Sequence, residues 1–193
     1  MKLALFGGTF DPVHNAHTTV AREAADAFGL DRVLFVPAAH PPHKQSTATP
    51  YEDRFRMVEL ACAADPRFVA SRLEESARRS YSIETIERLR AGLSPGDQLF
   101  FIIGADAFAE IATWYRWRDV LASVEFIVVT RPGHEYVVPP GARVHRLDTL
   151  VLPVSSSDIR AALARGETPP ELSPEVVRYI RSHHLYETNA SVS

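Results

Sequence analysis

The chain has 193 residues, 46% of them apolar and 23% charged, with a formal net charge of -3. That is enough for one domain with a sizeable core; it argues against disorder of the whole chain and supplies no general attraction for nucleic acid or an anionic membrane. A single cysteine, Cys62, excludes an internal disulfide and fits a reducing compartment.

Residues 3–6 form a short unbroken apolar run, read as a strand, which ends in Gly7 and Gly8. Two glycines after a strand let the backbone turn sharply and approach a ligand closely. Val20, Ala21, Ala24, Ala25 and Phe28 then recur at helical spacing until Gly29 offers a stop. Strand, glycine loop and helix start place free N–H groups and the positive end of a helix dipole at one spot, which suits bound phosphate. His14 and His17, three apart on one side of the first turn, add donors that can follow charge developing on a phosphate oxygen.

Residues 33–36 give a second apolar run, closed by Pro37 and followed by a polar, proline-rich loop over 38–49, the candidate for movement on substrate binding. Thr49 and Pro50 are read as N-cap and first residue of a helix through Ala64. Cys62 falls among its apolar positions and is expected to be a buried structural thiol. Residues 67–72 predict a weak strand, residues 74–79 a charged, mobile stretch, and Ser82 the cap of a helix running to Arg90. The clearest central strand is 99–103, ending in Gly104, Ala105 and Asp106; a short helix over 107–112 leads into Trp114-Tyr115-Arg116-Trp117.

Another strand spans 124–130 and closes on Arg131-Pro132-Gly133. Residues 134–141 are expected as a surface loop, 143–147 as a strand, and 151–154 as a strand or its continuation. Two helices finish the chain, one from Ser156 or Ser157 to Gly166, the other from Pro174 to about His183; residues 189–193 should fray, leaving one domain over 1–188. The N-terminus has too few apolar residues before the glycines for a secretory leader, and no run reaches spanning length, so a cytoplasmic protein without membrane or nucleic-acid partners is expected.

This alternation argues for an α/β protein with a Rossmann-like open, mostly parallel sheet and helices on both faces. Ligands in such sheets bind at the carboxyl ends of the strands, where the distinctive polar segments of this chain fall. The glycine loop is neither a Walker P-loop nor the G-x-G-x-x-G dinucleotide fingerprint, so another nucleotide chemistry is needed.

GGTFDPVHNAH at 7–17 resembles the GTFDPxHxGH signature of the nucleotidyltransferase superfamily, and VSSSDIR at 154–160 resembles its second signature, ISSTxIR. Pro41-Pro42-His43-Lys44, Ser80-Tyr81-Ser82, Ile103-Gly104-Ala105-Asp106, Trp114-Tyr115-Arg116-Trp117 and Arg131-Pro132-Gly133 resemble the bacterial nicotinate-mononucleotide adenylyltransferase family. The likeness implies direct in-line transfer of the adenylyl group of ATP to nicotinate mononucleotide, giving deamido-NAD and pyrophosphate in NAD biosynthesis.

By that resemblance His14, His17 and Arg160 are catalytic. Gly8, Thr9, Phe10, Gly104, Asp106, Arg131, Ser156 and Ser157 join them around ATP, and Lys44, Ser82 and Trp114 bind nicotinate mononucleotide. Mg2+ would accompany the triphosphate, with few dedicated protein ligands. Ala16 stands where the family carries glycine, and Ala38 and Ala39 where relatives often carry asparagine. The competing readings are another adenylyl- or cytidylyltransferase of the superfamily, such as the phosphopantetheine enzyme, and a non-catalytic nucleotide-binding regulator. His14, His17, His40 and His43 could also form a zinc set, which no carboxylate or thiolate spacing supports. Whether the chain forms a homo-oligomer is left open.

Overall fold

The computed structural model describes residues 1–40, 49–76, 78–151 and 153–188. Six strands, β1 (Lys2–Gly8), β2 (Arg32–Pro37), β3 (Phe68–Ala70), β4 (Gln98–Gly104), β5 (Glu125–Thr130) and β6 (Arg143–Asp148), form one parallel sheet in the order β3-β2-β1-β4-β5-β6. The order reverses between β1 and β4, and the crevice at their carboxyl ends is where doubly wound sheets bind ligands.

Seven helices cover the sheet: α1 (Asn15–Phe28), α2 (Tyr51–Cys62), α3 (Ser82–Arg90), α4 (Ala105–Ala109), α5 (Trp117–Ser123), α6 (Ser156–Ala164) and α7 (Pro174–Ser182). Strand side chains alternate between two cores, so unbroken apolar runs are buried on both sides. Ala4, Phe100, Ile102 and Ile127 face α1, α2, α6 and α7, while Leu3, Leu5, Phe101, Ile103 and Val128 face α3, α4 and α5. Each of these Leu, Ile, Val and Phe side chains contributes about 1.5–3 kcal/mol by leaving water. No described helix is long and apolar enough to cross a membrane.

Three local expectations are corrected. Residues 151, 153 and 154 are in no strand, and the sheet ends at β6. Pro50 is the N-cap of α2 and not its first residue; Thr49 is buried just before it, its carbonyl accepting from Nε of Arg54 at 3.2 Å. Glu74, read from its charge as mobile, is 7% exposed, because the hydroxyl of Thr85 on α3 donates to its carboxylate at 2.7 Å.

Candidate active site

The glycine stretch does not turn where the sequence suggests. β1 continues through Gly7 and Gly8, and the turn falls at Phe10, whose φ is 51°. A bulky residue held there costs about 1–3 kcal/mol, which packing must offset. The Phe10 ring is buried 5.0 Å from His17 and 5.9 Å from Phe6 and Phe35, centroid to centroid. It lies so close over Gly8 that a Cβ there would meet ring carbons at 3.2–3.3 Å, which explains the glycine. No acceptor among the described residues takes the N–H of Thr9 or Phe10, and neither residue is among those that line the cleft described below.

His14 is the N-cap of α1, and its backbone N–H donates to Nδ1 of His17 at 3.1 Å. The acceptor role of Nδ1 leaves the proton of neutral His17 on Nε2, which is therefore a donor. The two rings stack at 3.7 Å and 25°. Burial lowers His14 from its usual range to about 4, partly opposed by Glu171; burial and then the neighbouring His14 lower His17 to about 3. Both rings are thus neutral donors at pH 7. Nδ1 of His14 is buried without a partner among the described residues, a cost that a bound ligand or water can relieve.

The second half comes from the start of α6. Ser155 is its N-cap, the hydroxyl accepting from the N–H of Asp158 at 3.3 Å, so capping does not consume the hydroxyls of Ser156 and Ser157. Arg160, one turn in, donates from Nη1 to the carbonyl of Asp11 at 2.8 Å and from Nη2 to the hydroxyl of Ser157 at 3.0 Å. The guanidinium thereby ties the second motif to the loop of the first, across 149 residues of chain.

Between the two motifs lies a cleft of about 420 Å³, lined by His14, Ala16, His17, Gly104, Asp106, Arg131 and Ser156. Ala16 is helical, at the second position of α1, where its methyl faces the cleft without backbone strain. Phe6, Val20, Ile102 and Val129 supply an apolar wall, suited to the face of a heterocycle. Thr130, His134 and Thr149 also line the cleft and were missed. Thr130 ends β5, so the strand-end rule could have found it; His134 follows the Gly133 turn (φ 79°) and reads as ordinary loop.

Ser82 and Trp114 do not line this cleft. Ser82 is the first residue of α3 and not its cap, which is Tyr81, and Trp114 follows a 3-10 turn (Ile111–Thr113) with its ring 5.8 Å from Phe101 of β4. Their neighbours Tyr81 and Tyr115, not anticipated, meet at 4.6 Å and draw the two segments together. Ser80 exchanges two bonds with the backbone of His40, at 3.0 and 3.1 Å, tying this region to the end of β2. Lys44, Pro41, Pro42 and His43 lie outside the described residues, and so does most of the 38–49 loop. Of the four histidines weighed for zinc, His14 and His17 face the cleft and His40 is exposed; among the described residues no group of three or more His, Cys, Asp or Glu is placed to hold a metal.

A parallel sheet reversing between β1 and β4, with two motif halves tied together at its carboxyl edge, defines a nucleotide-binding α/β enzyme fold. A family model described as cytidylyltransferase-like matches residues 5–162. A probable nicotinate-nucleotide adenylyltransferase of Solibacter usitatus is 62% identical over 96% of this chain and all of its own length. One from Exiguobacterium sibiricum is 43% identical over 97% of this chain and likewise all of its own. The chain belongs to the cytidylyltransferase-like family and, within it, to the nicotinate-nucleotide adenylyltransferases. Among solved structures, the Plasmodium falciparum nicotinic acid mononucleotide adenylyltransferase complexed with NaAD superposes with a TM-score of 0.78 at 18% identity, covering 96% of this chain and 97% of its own. That likeness supports the fold.

Proposed function

We propose that the cleft transfers the adenylyl group of ATP to nicotinate mononucleotide, giving nicotinate adenine dinucleotide and pyrophosphate in NAD biosynthesis. A phosphate oxygen of the mononucleotide attacks the α-phosphorus, and the bond from that phosphorus to the α,β-bridging oxygen breaks, its electron pair leaving with pyrophosphate. No covalent enzyme intermediate is needed, so the protein's work is alignment and charge stabilisation.

The observation that carries this reading is the closed pair of motif halves. His14 and His17 present neutral donors at the start of α1, and Arg160 reaches across to Asp11 from the start of α6. Nε2 of His17 is suited to an oxygen of the α-phosphoryl group, where negative charge grows in the transition state. Ser156, Ser157 and the forked Arg160 suit the β- and γ-phosphates, with backbone donors from Gly8 to Phe10 beside them. Gly104, Asp106 and Arg131 suit the adenosine, Asp106 as an acceptor for ribose hydroxyls. Lys44, Ser82 and Trp114 take the acceptor: a charge for its phosphate, a hydroxyl for the nicotinate carboxylate and a flat face for the pyridine ring. Donors aimed at a carboxylate disfavour the amide of nicotinamide.

The polar groups at the cleft are imidazoles, hydroxyls, N–H groups, the guanidiniums of Arg131 and Arg160 and the single carboxylate of Asp106, which fits a magnesium ion held by the triphosphate and not by a carboxylate cage. Bound there, Mg2+ would neutralise charge on the phosphates. Cys62 is buried, with its thiol pushed up to about 12, and takes no part; a reduced thiol of this kind suits a cytoplasmic enzyme.

Pyrophosphate release from ATP is the test, with nicotinate mononucleotide, nicotinamide mononucleotide, phosphopantetheine and flavin mononucleotide as acceptors. Turnover is expected with the first and much less with the second. Turnover only with another acceptor would move the chain elsewhere in the superfamily, and turnover with none would make it a nucleotide-binding regulator.

A further inference from the structure

Asp11 lies in the loop between Gly8 and His14, and only 6% of it is exposed. Its carbonyl accepts from Arg160, but its carboxylate accepts the hydroxyl of Tyr186, at 2.5 Å, from the segment after α7. The two partners are 175 residues apart. On the other flank Nη1 of Arg54, a side chain 1% exposed, donates to the carbonyls of Thr9 at 2.8 Å and Ala38 at 2.7 Å. The Arg54 charge is answered by carbonyl dipoles and, across the loop, by Asp11. Neither Tyr186 nor Arg54 belongs to a motif, and the reaction as described uses neither.

We propose that Tyr186 is a positioning residue for ATP: by holding the Asp11 carboxylate it sets, with Arg54, the backbone of residues 9–11, where the N–H groups of Thr9 and Phe10, without an acceptor among the described residues, would serve the phosphates. The geometry leaves little slack. Residue 9 is held through its carbonyl, and residue 11 through both its carbonyl and its carboxylate. Between them stands Phe10 in a left-handed conformation, which persists only where its surroundings impose it. Burial, and next the Asp11 carboxylate, push the Tyr186 phenol far above its ordinary range, so it stays a donor at every working pH. Removing the hydroxyl leaves a buried carboxylate short of a donor and frees the loop to follow it toward Arg54. The acceptor subsite, on α3 and the Trp114 segment, is untouched.

This inference rests on the ATP reading of the cleft, and its test is read without an acceptor. Tyr186→Phe is expected to weaken binding of α,β-methylene ATP about tenfold, the scale of one lost hydrogen bond to a charged group, and to leave the KM for nicotinate mononucleotide unchanged. A purely structural tyrosine would lower the thermal midpoint while the folded protein bound the analogue as before, and that result overturns the proposal. Should Tyr186→Phe not fold, Asp11→Asn makes the same measurement with the same expectation, and unchanged affinity again overturns it. Where both variants fold, the double variant should be no worse than the weaker single one, and additive losses would count against a shared path. Analogue binding without turnover in the unsubstituted protein would defeat the proposed reaction and leave the Tyr186 comparison to stand or fall alone. Absence of analogue binding there would overturn both.

Discussion

The backbone N–H of His14 donates to Nδ1 of His17 at 3.1 Å, and this one bond decides which nitrogen of His17 is left to donate. With Nδ1 occupied as an acceptor, the neutral ring carries its proton on Nε2. The N-cap of α1 thereby acts as a tautomer lock for the histidine one turn along.

His17→Ala is expected to lower kcat by at least about a hundredfold, since a donor aimed at developing charge is typically worth that much. Initial rates of pyrophosphate release at saturating substrates check it. A kcat within twofold of the parent would remove His17 from the transition state.

Burial holds His14 at about 4 and His17 at about 3, below the usual 6.5, so the unfolded chain binds protons that the folded chain refuses. Their contribution to stability is therefore complete above pH 6.5 and is lost as the pH falls toward 4 and then 3. The thermal midpoint should drop between pH 7 and pH 5, and drop less in His17→Ala. Equal drops in the two proteins would mean that other groups govern the window.

Arg160 spans Asp11 and Ser157 with two nitrogens of one planar group, which a lysine cannot imitate. Arg160→Lys keeps the charge, and yet the KM for ATP should rise about tenfold or more, as bidentate grip and loop anchoring go together. Steady-state kinetics with ATP varied decide this; a KM within twofold would reduce Arg160 to a point charge.

Trp114→Ala should raise the KM for nicotinate mononucleotide about tenfold, the scale of one lost base-to-aromatic stack, and leave that for ATP alone. Ser82→Ala should narrow the preference for nicotinate over nicotinamide mononucleotide, measured as the ratio of the two kcat/KM values. An effect of Trp114→Ala on ATP alone would place the ring in the wrong subsite.

Most strands were legible because a strand covered on both faces has to be apolar throughout, as residues 33–36 and 99–103 are. Helix ends were legible where one residue has a physical monopoly, as at Gly29, which caps α1 with φ 63°, and at Pro174 behind the Ser173 cap. Charge alone misled at Glu74, because a carboxylate looks the same in sequence whether it faces water or a threonine hydroxyl eleven residues away.

By itself the sequence determined the alternation of strands and helices, the two motifs and the family resemblance, since each is written in local spacing and residue type. Only the tertiary structure decided that β1 runs on through the glycines, that the turn falls at Phe10, and that Arg160 closes on the carbonyl of Asp11. It alone brought Tyr81 to Tyr115, and Tyr186 to Asp11. The physical reason is distance along the chain: a cap or a turn is settled among neighbours, whereas a bond across 175 residues exists only once six strands and seven helices have packed.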